Sequence, residues 1–155
     1  MLDIRFRVDE AKHVIRLGDF EFPREFACKC GCGLCDVAFN LWWALQLLRM
    51  ECGTPLIINR ACSCEAHNQS VGGAPASHHL AKPTCKAADI KMPGYTPDDI
   101  AIRAWELKTL VKRVGIYMPG PVWGEGFVHI DVGIALPGEW IAWRYGSGGN
   151  LIESR

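Results

Sequence analysis

The spacing of apolar residues divides the chain into elements before any single residue suggests chemistry. Ile4, Phe6 and Val8 alternate with polar neighbours, and Val14, Ile15 and Leu17 follow, which predicts two short strands or a hairpin within residues 1–19. Residues 20–35 are rich in Phe, Cys and Gly, poor helix material, and read as an irregular loop fixed by its cysteines. Val37, Leu41, Trp42, Leu45 and Leu48 then recur at helical spacing, so residues 37–51 form an amphipathic helix that Asp36 can cap and Gly53 can end. Residues 55–59 and 87–92 are short β-type runs between turn-formers. A second helix starts at Thr96 as N-cap with Pro97 at its first position. Asp98 and Asp99 stand at its positive end, Lys112 and Arg113 at its negative end, and Ile100, Ala104, Leu107 and Val111 form its inner face. Strand character returns at residues 115–117, 126–132 and 139–145, and the glycine-rich tail over residues 146–155 is expected to fray. Helices and strands mix without a strict βαβ rhythm or a repeat. The expected fold class is therefore α+β, with two main helices on a small, mostly antiparallel sheet in a single domain, its core within residues 36–145.

Composition narrows the function classes. A chain of 155 residues with 49% hydrophobic content encloses one core and is short for two domains. Lys plus Arg balance Asp plus Glu at 17 each, which removes the basic footprint of a general nucleic-acid binder. No apolar stretch is long enough for a signal peptide or a membrane span, so the expected product is a monomer, cytoplasmic at synthesis, with no membrane partner. The eight cysteines include Cys28, Cys30, Cys32 and Cys35 in a CxCxCxxC run, with Cys52, Cys62, Cys64 and Cys85 elsewhere. Disulfides, a structural metal held by four thiolates, and buried unpaired thiols all fit that usage. A zinc ribbon reading nucleic acid lacks its second CxxC and a basic face.

The chemistry-bearing residues cluster. Of five histidines, three fall in two places that also hold an aspartate: Ser77-His78-His79-Leu80 leading to Ala87-Ala88-Asp89-Ile90, and Val128-His129-Ile130-Asp131. Catalytic zinc needs three nitrogen or carboxylate ligands and one open position, so two His and one Asp suffice. Such an ion lowers the pKa of its water to about 7 and polarises a carbonyl, which is hydrolytic chemistry. On a strand, residues two apart share a face, so His129 and Asp131 project together.

These residues resemble a known family, the zinc D-alanyl-D-alanine carboxypeptidases and related peptidoglycan endopeptidases, whose fold is shared with the hedgehog signalling domain. The resemblance begins near Phe26. It runs through Gly53-Thr-Pro-Leu-Ile-Ile-Asn-Arg60, the stretch from His67 and Asn68 to Ser77-His78-His79-Leu80, Ala87-Ala-Asp89-Ile90 and Gly126-Phe-Val-His129-Ile-Asp131-Val-Gly133. It implies zinc held by His79, Asp89 and His129, substrate bound by Arg60, and hydrolysis of peptidoglycan stem peptides by a carboxypeptidase or an endopeptidase, as in phage lysis proteins. His78 falls at the variable position of the motif and is expected to be an exposed loop residue, with exchange for His79 as ligand the alternative. Ser77 either binds substrate or ties the loop. Two departures stand out. Residues 81–85 lengthen the turn between His79 and Asp89 and put Cys85 at a glycine position; its thiolate is a good zinc ligand, but a closed four-ligand site would lose the open position that hydrolysis needs. The positions that carry the proton acceptor in many relatives hold Gly126 and Phe127, so Asp131 is the first choice for base or for orienting a ligand, and Glu125 the second. The blank positions also admit an inactive, zinc-stabilised binding module of the same fold. Trp123, Trp140 and Trp143 surround the last motif, as core or as the lining of a groove.

Overall fold

The computed structural model describes residues 15–134 and 139–154. The strand expected at Ile4, Phe6 and Val8 lies outside the described residues. The architecture is α+β. A hairpin of β1 (Ile15–Leu17) and β2 (Phe20–Phe22) precedes α1 (Phe39–Cys52). Then come β3 (Ile57–Arg60), α2 (Glu65–Ser70), β4 (Ala87–Lys91), α3 (Pro97–Glu106), β5 (Arg113–Tyr117), β6 (Phe127–Asp131), β7 (Ile141–Tyr145) and β8 (Leu151–Ser154). The last six strands form one sheet in the order β3-β4-β6-β5-β7-β8, antiparallel throughout except for the parallel β5–β7 pair.

One face of this sheet is apolar and covered by helices. Ile58, Ala88, Ile90, Val114, Val128 and Ile130 meet Leu41, Leu45 and Leu48 of α1 and Ile100 and Ala104 of α3 in a common core. Each fully buried Leu or Ile contributes about 1.5–3 kcal/mol. Alternation along each strand sends its other residues to the opposite face, where the polar and aromatic side chains collect. Helix α3 starts as its sequence demands: the Thr96 hydroxyl accepts from the Asp99 N–H at 3.2 Å, the Asp99 carboxylate accepts from the Thr96 N–H at 2.9 Å, and Pro97 follows the cap. Helix α1 ends on Gly53, whose left-handed φ of 61° lets its N–H reach the Arg49 carbonyl.

Several expectations are corrected. Ala38, not Asp36, precedes α1, without a side-chain cap, while the Asp36 carbonyl accepts the Cys85 N–H at 2.7 Å. Helix α3 stops at Glu106 and turns through residues 107–110, so Lys112 and Arg113 join the sheet instead of ending the helix: the Lys112 N–H donates to the Asp131 carbonyl, and Arg113 opens β5. The tail read as fraying turns through Gly149 at φ 81° and returns as β8 along β7. Residues 20–35 are not wholly irregular, since Phe20 and Phe22 of β2 and Phe26 are fully buried and pack ring on ring. Helix α2 escaped the periodicity reading because it is one short, mostly exposed turn and a half.

Candidate metal centre

The site occupies one line of residues across the polar face. Directly opposed residues of neighbouring strands share a face. The register pairs Arg60 with Asp89, Asp89 with His129, His129 with Gly115, and Gly115 with Trp143, so these side chains stand side by side from β3 to β7. His79 reaches the same place from the loop before β4. Its Nδ1 donates to the Ala61 carbonyl at 2.8 Å, which puts the ring proton there and leaves the Nε2 lone pair turned to Asp89 and His129.

Three donor atoms result. His79 Nε2 lies 3.3 Å from His129 Nδ1 and 3.3 Å from Asp89 Oδ1, and His129 Nδ1 lies 2.9 Å from the same oxygen. A tetrahedral zinc with bonds of about 2.0–2.1 Å separates its ligand atoms by about 3.3–3.4 Å, so the triangle has the size and the chemistry of a three-ligand zinc site. Its electrostatics agree. Burial opposes charge on His129, yet the carboxylates of Asp131 and Asp89 outweigh it and raise its pKa to about 9. Burial likewise opposes charge on Asp89, but the two imidazoles hold it well below the usual carboxylate range. A place that retains a proton so firmly between carboxylates favours a cation, and a divalent ion can replace that proton with both rings neutral.

Asp131 stands behind His129. Its Oδ2 is 3.7 Å from His129 Nε2, the ring nitrogen away from the triangle, while the Gly133 N–H donates to Oδ1 at 2.6 Å and His78 Nδ1 lies 2.8 Å from both oxygens. Burial raises the Asp131 pKa, but His129, the Gly133 N–H and His78 prevail and keep it below the ordinary value. This is the carboxylate–imidazole arrangement that fixes the ring of a metal ligand.

The other predicted residues distribute as follows. Arg60 is half-buried, with Nε on Ser63 Oγ at 2.9 Å and Nη2 on Asn68 Oδ1 at 2.7 Å, so its guanidinium is held beside Asp89 at the edge of the site. Ser77 Oγ accepts the His79 N–H at 3.3 Å and ties the loop. Glu125 is exposed and paired with Lys91 at 2.8 Å, which lowers its pKa; it lines a cavity of about 420 Å³ that none of the three donor residues borders. Cys85 is fully buried against Cys62, which also neighbours Cys35, and is absent from the donor triangle. His78, expected as an exposed loop residue, is instead the partner of Asp131. Nothing local in the sequence signals that pairing, which spans 53 positions.

Aromatic rings complete the polar face. A Cβ on Gly115 would lie 2.5 Å from the Trp143 indole, so glycine lets Trp143 lean across its strand neighbour, with its ring centroid 5.4 Å from that of His129 and its Nε1 donating to the Tyr117 hydroxyl at 3.2 Å. Tyr117 stacks on Phe127 and Tyr145, and Trp123 closes this group edge-on. Trp123 and Trp143 thus belong to a half-buried wall beside the site, whereas Trp140 packs against Trp105 and the core.

A buried pair of imidazoles and a carboxylate, backed by a second carboxylate and flanked by an aromatic wall, is a donor set suited to a divalent metal ion. A family model described as Peptidase M15 matches residues 20–131, and the chain belongs to this family of zinc D-alanyl-D-alanine carboxypeptidase-like metallopeptidases. No curated protein and no solved structure matches it. Among the described residues no helix is long and apolar enough to cross a membrane.

Proposed function

We propose that this chain hydrolyses peptide bonds in peptidoglycan stem peptides, as a D,D-carboxypeptidase or endopeptidase, at a zinc ion held by His79, Asp89 and His129. The observation that carries the reading is the closure of their three donor atoms into a triangle of 2.9–3.3 Å edges. Zinc bound there supplies Lewis acidity toward a carbonyl and a water acidic enough to act near neutral pH.

The chain's own residues do the rest. His79 is kept in one tautomer by Ala61, and His129 is kept in one orientation by Asp131, so neither imidazole has to reorganise when the ion binds. Arg60, braced by Ser63 and Asn68, presents a fixed cation to a substrate carbonyl or terminal carboxylate. The wall of Trp143, Tyr117 and Phe127 gives the rest of the peptide an apolar surface to lie on and sheds water from it. Asp131 acts as a positioning residue for His129, and Ser77 as the tie of the His79 loop.

Zinc-loaded protein incubated with purified peptidoglycan and with synthetic stem peptides, followed by mass spectrometry, tests the proposal. Release of terminal alanine identifies a carboxypeptidase, and internal scission an endopeptidase. A second reading, a zinc-stabilised recognition module, is favoured by one observation: Asp131 is taken up by His78, Gly133 and His129, and Glu125 by Lys91. Intact substrates alongside retained zinc and measurable peptide binding would select that reading.

A further inference from the structure

Seven of the eight cysteines fall into two groups that their spacing does not reveal, with Cys52 apart at the end of α1. Cys35, Cys62 and Cys85 are buried together in the core, whereas buried Cys28 and the more accessible Cys30, Cys32 and Cys64 bring one sulfur each within 4.8 Å of one another. We propose that Cys28, Cys30, Cys32 and Cys64 hold a second, structural zinc ion, separate from the hydrolytic centre.

The distances favour a metal over a disulfide. Sγ of Cys30 lies 3.4 Å from that of Cys28 and 3.7 Å from that of Cys64. A disulfide requires about 2.05 Å. Four thiolates about 2.3 Å from a tetrahedral zinc stand about 3.8 Å apart, close to what is observed. The backbone is folded to suit. Gly31 at φ 83° and Gly33 at φ 80° take the left-handed turns that swing alternate cysteines to one side, and the loop is pinned by Cys28 N–H to the Leu34 carbonyl at 2.8 Å and Gly31 N–H to the Cys28 carbonyl at 3.2 Å. Two amides already point at sulfur, Cys64 N–H at Cys28 Sγ and His67 N–H at Cys64 Sγ, each at 3.4 Å. Such donors stabilise thiolates. Four soft ligands with no open position suit zinc in a structural role, and metal analysis separates it from iron or copper.

The position says what the ion would secure. Cys64 ends the segment that leaves β3, and that segment supplies the Ala61 carbonyl to His79 Nδ1, the Ser63 N–H to the His79 carbonyl and the Ser63 hydroxyl to Arg60. Clamping Cys64 to the loop of residues 28–32 holds this segment against the hydrolytic centre from outside.

Metal analysis of the protein purified with zinc, together with cobalt substitution, tests the assignment. The wild type should carry about two zinc ions per chain, and His129→Ala and a Cys30→Ser/Cys32→Ser double variant about one each. Cobalt-substituted His129→Ala, in which all the cysteines are intact, should show intense near-ultraviolet sulfur-to-metal charge transfer. It makes the test independent of whether the cysteine variant folds. His129→Ala protein that retains no zinc and gives no such band overturns the proposal. So does mass spectrometry showing a disulfide among these four cysteines in zinc-replete protein kept under reducing conditions.

Discussion

Gly133 gives the most direct access to the support behind the metal centre. A Cβ at this position would stand 2.2 Å from His78 Cε1 and Nδ1 and 2.8 Å from Asp131 Oδ1. Its φ lies outside the left-handed region, so alanine costs no backbone strain and the effect is steric. Ordinary contact begins near 3.4 Å, so the imidazole must retreat by about 1.2 Å, and the side chain of His78, 27% exposed, has room to swing outward. That movement breaks its bond to Asp131, a charge-assisted hydrogen bond of about 1.5–3 kcal/mol. Asp131 is then less firmly aimed at His129; removing such a carboxylate outright costs about 10–100-fold in metal affinity, so loosening it should cost less, up to about tenfold or about 1.4 kcal/mol. Chelator competition for zinc in wild type, Gly133→Ala, His78→Ala and the double variant measures this. Because His78→Ala removes the obstructing ring and leaves only the 2.8 Å approach to Asp131 Oδ1, the double variant should bind zinc more tightly than the sum of the two single losses predicts. Wild-type affinity in Gly133→Ala, or full additivity in the double variant, would refute the reasoning.

Other outcomes follow from the same coordinates. Gly115→Ala drives a Cβ into the Trp143 indole and should cost about 1–3 kcal/mol in denaturant unfolding, with a change in tryptophan fluorescence that reports displacement of the ring beside His129. Thr96→Ala removes the hydroxyl half of the α3 capping box and should cost about 1 kcal/mol by the same measurement, with zinc affinity unchanged. Asp131→Asn should weaken zinc binding by about tenfold or more, whereas Glu125→Gln, whose carboxylate already faces Lys91 in solvent, should leave binding and turnover within about twofold. In chelator-stripped protein, His129 adds stability that is fully present below its unfolded pKa of about 6.5 and is lost as pH rises through about 9. Asp131 adds stability present above about 3.9 and lost as pH falls through its lower folded value. Thermal melts should therefore fall off at both ends, and zinc should remove the alkaline loss, since the ion keeps His129 neutral.

Local chemistry was legible in the sequence, and distant pairing was not. The Thr96-Pro97 start of α3, the Gly53 stop of α1 and the shared face of His129 and Asp131 each depend on residues within one turn or one strand, where propensity and period decide. The α+β class followed from the same patterns. The sheet order, with β5 beside β7 in parallel, and the return of residues 151–154 as β8 depend on contacts the periodicity does not encode. Cysteine spacing suggested Cys35 as the fourth member of a cluster, but burial drew it into the core beside Cys62, and Cys64 came from 32 positions beyond Cys32 to stand in its place. The Asp131–His78 pair was hidden likewise, because its partners meet only when the loop before β4 folds over β6.

The line of side chains from Arg60 to Trp143 crosses five strands, and that makes the centre a checkpoint for the whole sheet. A slip of β6 by a single residue would turn His129 toward the helices and put valine or isoleucine in its place, so no partly assembled sheet can grip the ion. Zinc uptake should accordingly come late during refolding, after the strands have found their partners, and cells making a misaligned chain would make one that is metal-free rather than one that cuts indiscriminately.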